Sequence, residues 1–192
     1  MTDSQRCQKL ILGLTFCGLL AGCSAPEPGQ SVLPSMTATR LTWGDLVPLG
    51  WPDKDPLAGV DISQLDDEDP RAQALYSQLQ AFLDQAPLVD SWHGQHIRLP
   101  GYVAPLSFEG PDNRISEFLL VPFAGACIHV PPPARNQIVL VSAPTSSLPA
   151  EHDLSAPVWV TGALETTPRD TSLAVAGYTL TAFSVQPYTE DF

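Results

Sequence analysis

The sequence is poor in positive charge, poor in cysteine, and has no apolar run long enough to cross a membrane. Its 192 residues carry 9 Lys and Arg against 21 Asp and Glu, a formal charge of −12. Nucleic acids and anionic membrane surfaces attract Lys and Arg, so this balance argues against both as partners. It suits a soluble domain, or one that meets cationic ligands or metal ions. The apolar stretch Leu10–Leu20 is about half of the ~20 residues a membrane-spanning helix needs. The four cysteines form no Cys-x-x-Cys pair. Gly-x-Ser-x-Gly, His-Glu-x-x-His and phosphate-loop patterns are absent as well. No second cluster of acid, base and nucleophile takes their place, and no internal repeat is visible. Binding therefore outranks catalysis as the expected role.

What is present begins at the N-terminus. Arg6 and Lys9 precede the apolar run, and Leu20-Ala21-Gly22-Cys23 closes it. Charged, then apolar, then small is the order of a secretory signal. The last four residues resemble the lipobox of bacterial lipoproteins, in which small residues admit the signal peptidase and the cysteine thiol receives the lipid. The resemblance implies removal of residues 1–22, lipidation of Cys23, and attachment to the membrane through that lipid. Ser24 follows the cysteine where Asp would favour the inner membrane, so the expected address is the outer membrane, facing the periplasm. Cleavage removes Cys7 and Cys17, two of the basic residues and one acidic one. With Cys23 blocked, Cys127 is the lone thiol in an oxidising compartment, where exposed thiols oxidise or pair. It is either buried or used.

Residues 23–40 are rich in Pro, Ser and Thr and read as a flexible tether. An N-terminal segment, 41–91, belongs to the same domain as the β-rich remainder of the chain. Within it, the acidic run Asp66-Asp67-Glu68-Asp69 before Pro70 marks a helix start, because carboxylates suit that end of the helix dipole. Leu75, Leu79, Phe82 and Leu83 recur at helical spacing, which predicts a helix from Pro70 to Gln85 on the outside or at one end of the domain. From residue 92 to 192 the pattern is β. Five period-two segments are expected: His96–Leu106, Ile115–Pro122, Gln137–Val141, Val158–Leu164 and Gly177–Tyr188. Pro100-Gly101 predicts a bend or bulge inside the first. The fold class is thus mainly β, a small five-stranded OB-like Greek-key barrel with one N-terminal α-helix.

The densest cluster of unusual residues is Phe123–Gln137. In an extended backbone, Cys127 and His129 leave the same face. Thiolate and imidazole are ligands for Zn²⁺ or copper, and also a nucleophile and base. Pro131-Pro132-Pro133 stiffens the chain behind them. Two ligands fall short of the three or four a zinc site takes. His93, His96 and His152 are candidates to complete it, and Arg135 is a candidate to lower the thiol pKa without metal. Against this stands a plainer reading, in which Cys127 is packing and the proline arm docks a partner. Asp45, Asp112 and Glu117 lie near the same motifs without an assigned job.

Several of these motifs occur together in one known family. Trp43-Gly44-Asp45-Leu46-Val47-Pro48, Leu99–Leu106, Glu117–Pro122, Gly125–Pro133 and Asn136-Gln137 resemble the core of bacterial lipoproteins known as domain of unknown function 3299. The resemblance runs over about Leu41 to Tyr188 and brings no catalytic residues. It implies a setting near metal-uptake or export transporters. The resulting expectation is a lipid-anchored periplasmic accessory protein handling Zn²⁺ for a transport system. The alternatives are a non-catalytic interaction module with an envelope partner, or a thiol-dependent redox enzyme using Cys127.

Overall fold

A computed structural model describes residues 37–54, 56–59, 65–66, 69–144 and 147–189. Cys23, the signal and nearly all of the tether lie outside the described residues, as do Asp67 and Glu68 of the acidic run. The strands are β1 (Thr39–Arg40), β2 (His96–Glu109), β3 (Arg114–Val121), β4 (Val139–Ser142), β5 (Val158–Glu165), β6 (Arg169–Asp170), β7 (Val175–Ala176) and β8 (Tyr178–Pro187). Five of them close a barrel in the order β2-β3-β4-β8-β5, with β5 pairing back onto β2. All neighbours are antiparallel except β4 and β8, which run parallel. This is the OB-like barrel that the alternation predicts.

Closure depends on β2, whose length lets one strand serve two neighbours. Its first half, His96–Gly101, pairs with β5, and its second half, from Tyr102, pairs with β3. The hand-over falls at Pro100-Gly101, where the sequence predicts a bend. A Cβ at Gly101 would lie 2.8 Å from both the Leu120 side chain and the Val121 carbonyl, and 2.9 Å from the Trp43 ring. Only glycine fits there. The register shifts themselves come later, between Pro105 and Phe108. Beyond this irregularity Ile115 faces inward like Phe118 and Leu120, and Ser116 is buried beside them.

Period-two alternation fills the barrel with Ile97, Leu99, Val103, Phe118, Val139, Val141, Val158, Val160, Leu164, Tyr178 and Leu180, all buried. Each such side chain contributes roughly 1.5–3 kcal/mol on leaving water. A second apolar layer lies on the outer face of β2, β3 and β4. There Ala104, Leu119 and Val121 pack with Ala126 and Ile138 from the β3–β4 connection and with Ala176 of β7. On the opposite flank β1 runs parallel to β2 and sets Arg40 beside Arg98. Both guanidiniums lie over the Trp159 ring, 4.8 and 4.4 Å from its centre.

The helix α1 (Pro70–Leu83) begins as predicted and ends two residues before the expected Gln85. Asp69 caps it, accepting the Arg71 amide at 2.8 Å, and Pro70 occupies its first turn. None of its residues is fully buried; Phe82 stacks on Trp51 with centroids 5.9 Å apart.

The other described residues of the N-terminal segment form only short turns, and side chains from elsewhere help to hold them. Tyr178 accepts the Val89 amide at 2.7 Å and donates to the Leu46 carbonyl at 2.8 Å. The short helical turn Arg135–Gln137 reaches three more main-chain carbonyls. Arg135 Nε donates to Ala86 at 2.7 Å, Asn136 Nδ2 to Pro87 at 3.1 Å, and Gln137 Nε2 to Trp43 at 2.9 Å. Removing the Tyr178 hydroxyl leaves a donor and an acceptor unsatisfied in the interior. Tyr178→Phe is expected to cost about 2 kcal/mol in urea unfolding, whereas Tyr76→Phe on the helix surface should leave the midpoint unchanged.

Candidate functional site

The segment between β3 and β4 does not run extended. It coils around one carbonyl: Gly125 O accepts the amides of Ile128, His129 and Val130 at 3.1, 2.8 and 3.3 Å. Gly125 has φ +78°, and Cys127 takes a left-handed φ of +65°, uncommon for a residue with a side chain. The expectation that Cys127 and His129 share one face of an extended strand therefore fails. Gly125 allows the reversal and the carbonyl it presents holds the coil, so the alternation rule does not apply.

The two side chains have different surroundings. Cys127 packs against the outer apolar layer, and burial pushes its thiol up to about 11. His129 is exposed and stands over Gly125; a Cβ on that glycine would lie 3.4 Å from the His129 Cδ2. Among the described residues, no three His, Cys, Asp or Glu side chains come together as a metal-binding group. The other candidates lie elsewhere and do not join them. His93 Nδ1 accepts the Thr166 amide at 3.2 Å, and His96 meets Phe183 edge-on at 5.1 Å. The Nε2 of His152 is buried without a hydrogen-bond partner. Arg135 holds the Ala86 carbonyl. Asp45 closes its own turn: the hydroxyl and then the amide of Thr42 hold its carboxyl below the usual range, each at 2.7 Å. Asp112 is exposed in the β2–β3 turn, and Glu117 lies in the ladder opposite Ser107 and Ser142.

What the loop does build is a pocket of about 260 Å³. Val103 and Leu154 line it from the barrel side, and Gly125, Ile128, His129 and Val130 line it from the loop. Phe123, Ile128 and Val130 are 44%, 40% and 47% exposed around this region. Sequence reasoning missed this feature. Pro122 to Ala134 contains no Asp, Glu, Lys or Arg, although residues 136–150 and 171–189 share that lack, so charge alone does not single the loop out. Behind the loop, Pro131–Pro133 leads directly into the Arg135–Gln137 turn that holds the N-terminal segment, so the coil is fixed at its C-terminal end.

The described residues form a closed OB-like barrel with a covered outer face and an apolar loop pocket. Residues 43–187 match the family described as Protein of unknown function (DUF3299), and the chain belongs to that family. A crystal structure of a DUF3299 family protein from Pseudomonas aeruginosa PAO1 is 36% identical to it. That likeness covers 81% of this chain and 99% of the other, with a TM-score of 0.64. No curated protein matches the chain.

The thiol chemistry is open to a direct check. With its pKa raised to about 11, Cys127 stays protonated at neutral pH, and its alkylation rate should keep climbing well past pH 9. An activated thiol would level off below pH 8. Stability has the same sign: from pH 9 upward the unfolded chain loses the thiol proton first, so the folded form loses ground until about pH 11. Cys127→Ala should flatten that part of the profile.

Proposed function

We propose that this protein is a lipid-anchored, non-catalytic binding module of the bacterial envelope, with the Phe123–Val130 loop and its pocket as the working surface. One observation carries the reading. Three large apolar side chains stand exposed on a charge-free loop beside an apolar pocket, on an otherwise acidic molecule. Isolated exposed apolar residues are ordinary, but Ile128 and Val130 line the pocket while exposed, and that is the pattern of an interaction site. A pocket of about 260 Å³ accommodates one large apolar side chain, the usual anchor of a protein interface. The partner is therefore an envelope protein that inserts such a side chain, a transporter component being one setting that fits.

The Zn²⁺ reading has less support. Thiolate ligation requires the thiol proton to leave, and burial of Cys127 opposes that. His129 brings a single imidazole, and any further donor would come from outside the described residues. The redox reading meets the same obstacle, since an attacking thiol is activated by a lowered pKa.

Two experiments test the proposal. A photo-crosslinking residue at position 130 in living cells should give one discrete protein adduct, lost when Phe123 and Ile128 are both changed to Asp. The same probe at Leu49, which is fully exposed, should give none. Equal adducts at both positions, or none at 130, would leave the loop without a role. Mass spectrometry of the membrane-purified protein should find an acylated Cys23 at the N-terminus. An intact Met1 on the membrane-bound form would contradict the anchor.

A further inference from the structure

We propose that the acidic pair Glu190-Asp191 docks on a platform made by Arg40, Arg98 and Trp159, and so clasps β1 to the barrel. The platform is built from three strands. Val158 and Val160 of β5 belong to the core, so Trp159 between them stands on the outer face of the sheet. It is nevertheless only 1% exposed. Its cover includes the guanidiniums of Arg40 and Arg98 and the Tyr188 ring, which stacks on it with centroids 5.2 Å apart. Arg40 and Arg98 are register partners in the parallel pairing of β1 with β2, so their side chains leave the same face.

The chain itself is brought to this platform. Trp159 Nε1 donates to the Thr189 carbonyl at 3.0 Å, and the Tyr188 amide donates to the Pro157 carbonyl at 3.0 Å. Glu190 follows Thr189 directly, and Asp191 follows Glu190. One residue spans at most about 3.5 Å of extended chain. Both carboxylates are therefore tethered within one or two residues of the indole that carries the guanidiniums.

Charge complementarity selects this occupant. Two guanidiniums held over one ring make a positive spot on a chain of net charge −12, and their planar forks match carboxylates. An anion from solution approaches so acidic a molecule against long-range repulsion. A segment of the same chain, already fixed at Trp159, binds instead at the high effective concentration of a short linker.

The consequence falls on β1. The strand has two residues, both exposed, and β2 is its neighbour in the sheet. Leu41, next along the chain, is buried and donates its amide to the Arg98 carbonyl at 2.9 Å. Carboxylates bound across Arg40 and Arg98 join this short edge strand to β2, and the Trp159 contact joins both to β5. The stretch between Cys23 and β1 enters the domain here, so the clasp sets the point from which that stretch leaves the barrel. The platform shares no residue with the loop pocket.

Hydrogen exchange at the Leu41 amide reports local opening of this strand. In the full-length chain at low salt, Glu190→Lys with Asp191→Lys should speed that exchange about fivefold, the scale of reversing two surface ion pairs. The difference should vanish in 1 M NaCl, where screening acts over about 3 Å. Glu109→Lys with Asp112→Lys makes the same change in net charge at the β2–β3 turn and should leave Leu41 unaltered. In an Arg40→Gln/Arg98→Gln background the two lysines should add little, because the groups they oppose are gone. Equal effects of the two lysine variants, no effect of the first, or an undiminished effect in the glutamine background would overturn the proposal. Wild-type exchange that slows as protein concentration rises would assign the platform to a second copy. Exchange that slows with inorganic phosphate at constant ionic strength would assign it to a free anion. Either result would overturn the clasp as well.

Discussion

The fold depends on one buried hydroxyl. Tyr178 opens the last barrel strand with its side chain fully inside, and its oxygen joins Val89 to Leu46 through two short hydrogen bonds. Residues 41–92 contain only one α-helix among those described, and that helix buries nothing completely. Backbone turns satisfy some of their peptide groups, and side chains from Tyr178 and from the Arg135–Gln137 turn satisfy others. Arg135, Asn136 and Gln137 add their bonds to Ala86, Pro87 and Trp43, while Trp43 Nε1 donates to the Pro100 carbonyl at 2.8 Å and Trp92 Nε1 to that of Asp45 at 2.9 Å. Each unsatisfied group in that set costs about 1–3 kcal/mol, which is why so many polar contacts converge on one irregular segment.

This arrangement changes the meaning of the motifs. Trp43, Asp45, Pro100-Gly101 and Asn136-Gln137 are conspicuous in the sequence, and conspicuous polar or aromatic residues invite a chemical reading. In the structure Asp45 closes a turn of its own segment, and the others attach that segment to the barrel. Gly101 is there because Trp43 and Leu120 leave no room for a Cβ, and Gly177 because the Arg135 carbonyl and Leu88 do the same. The family likeness therefore lies in how the fold is assembled, and it points to no reaction.

The barrel was legible because alternation is a local signal. Every predicted strand appears within a few residues of its expected bounds, and the capped start of α1 was marked by Asp69 and Pro70. The loop was not legible, for a physical reason. A left-handed cysteine follows no propensity rule, and three prolines suggest extension in a segment whose geometry is set upstream by Gly125. The apolar cover over Ala104, Leu119 and Val121 was equally hidden, since residues from separate segments create it at long range. Those strands read as ordinary alternation, yet both of their faces are dry.

That second dry face bears on what the domain can bind. OB barrels commonly meet oligonucleotides and oligosaccharides across the outer face of their second and third strands. Here that face carries its own loop and hairpin, with Leu119 and Val121 almost wholly buried. Any recognition is displaced onto the covering elements themselves: the coil of Gly125–Val130 on one side, the β6–β7 hairpin on the other. The two differ in kind. The coil is charge-free, and the hairpin presents Asp170 toward the helix. Two copies of so acidic a molecule repel one another beyond the apolar contact itself, screened only over about 8 Å at physiological salt. That repulsion opposes self-association through the exposed side chains of the loop.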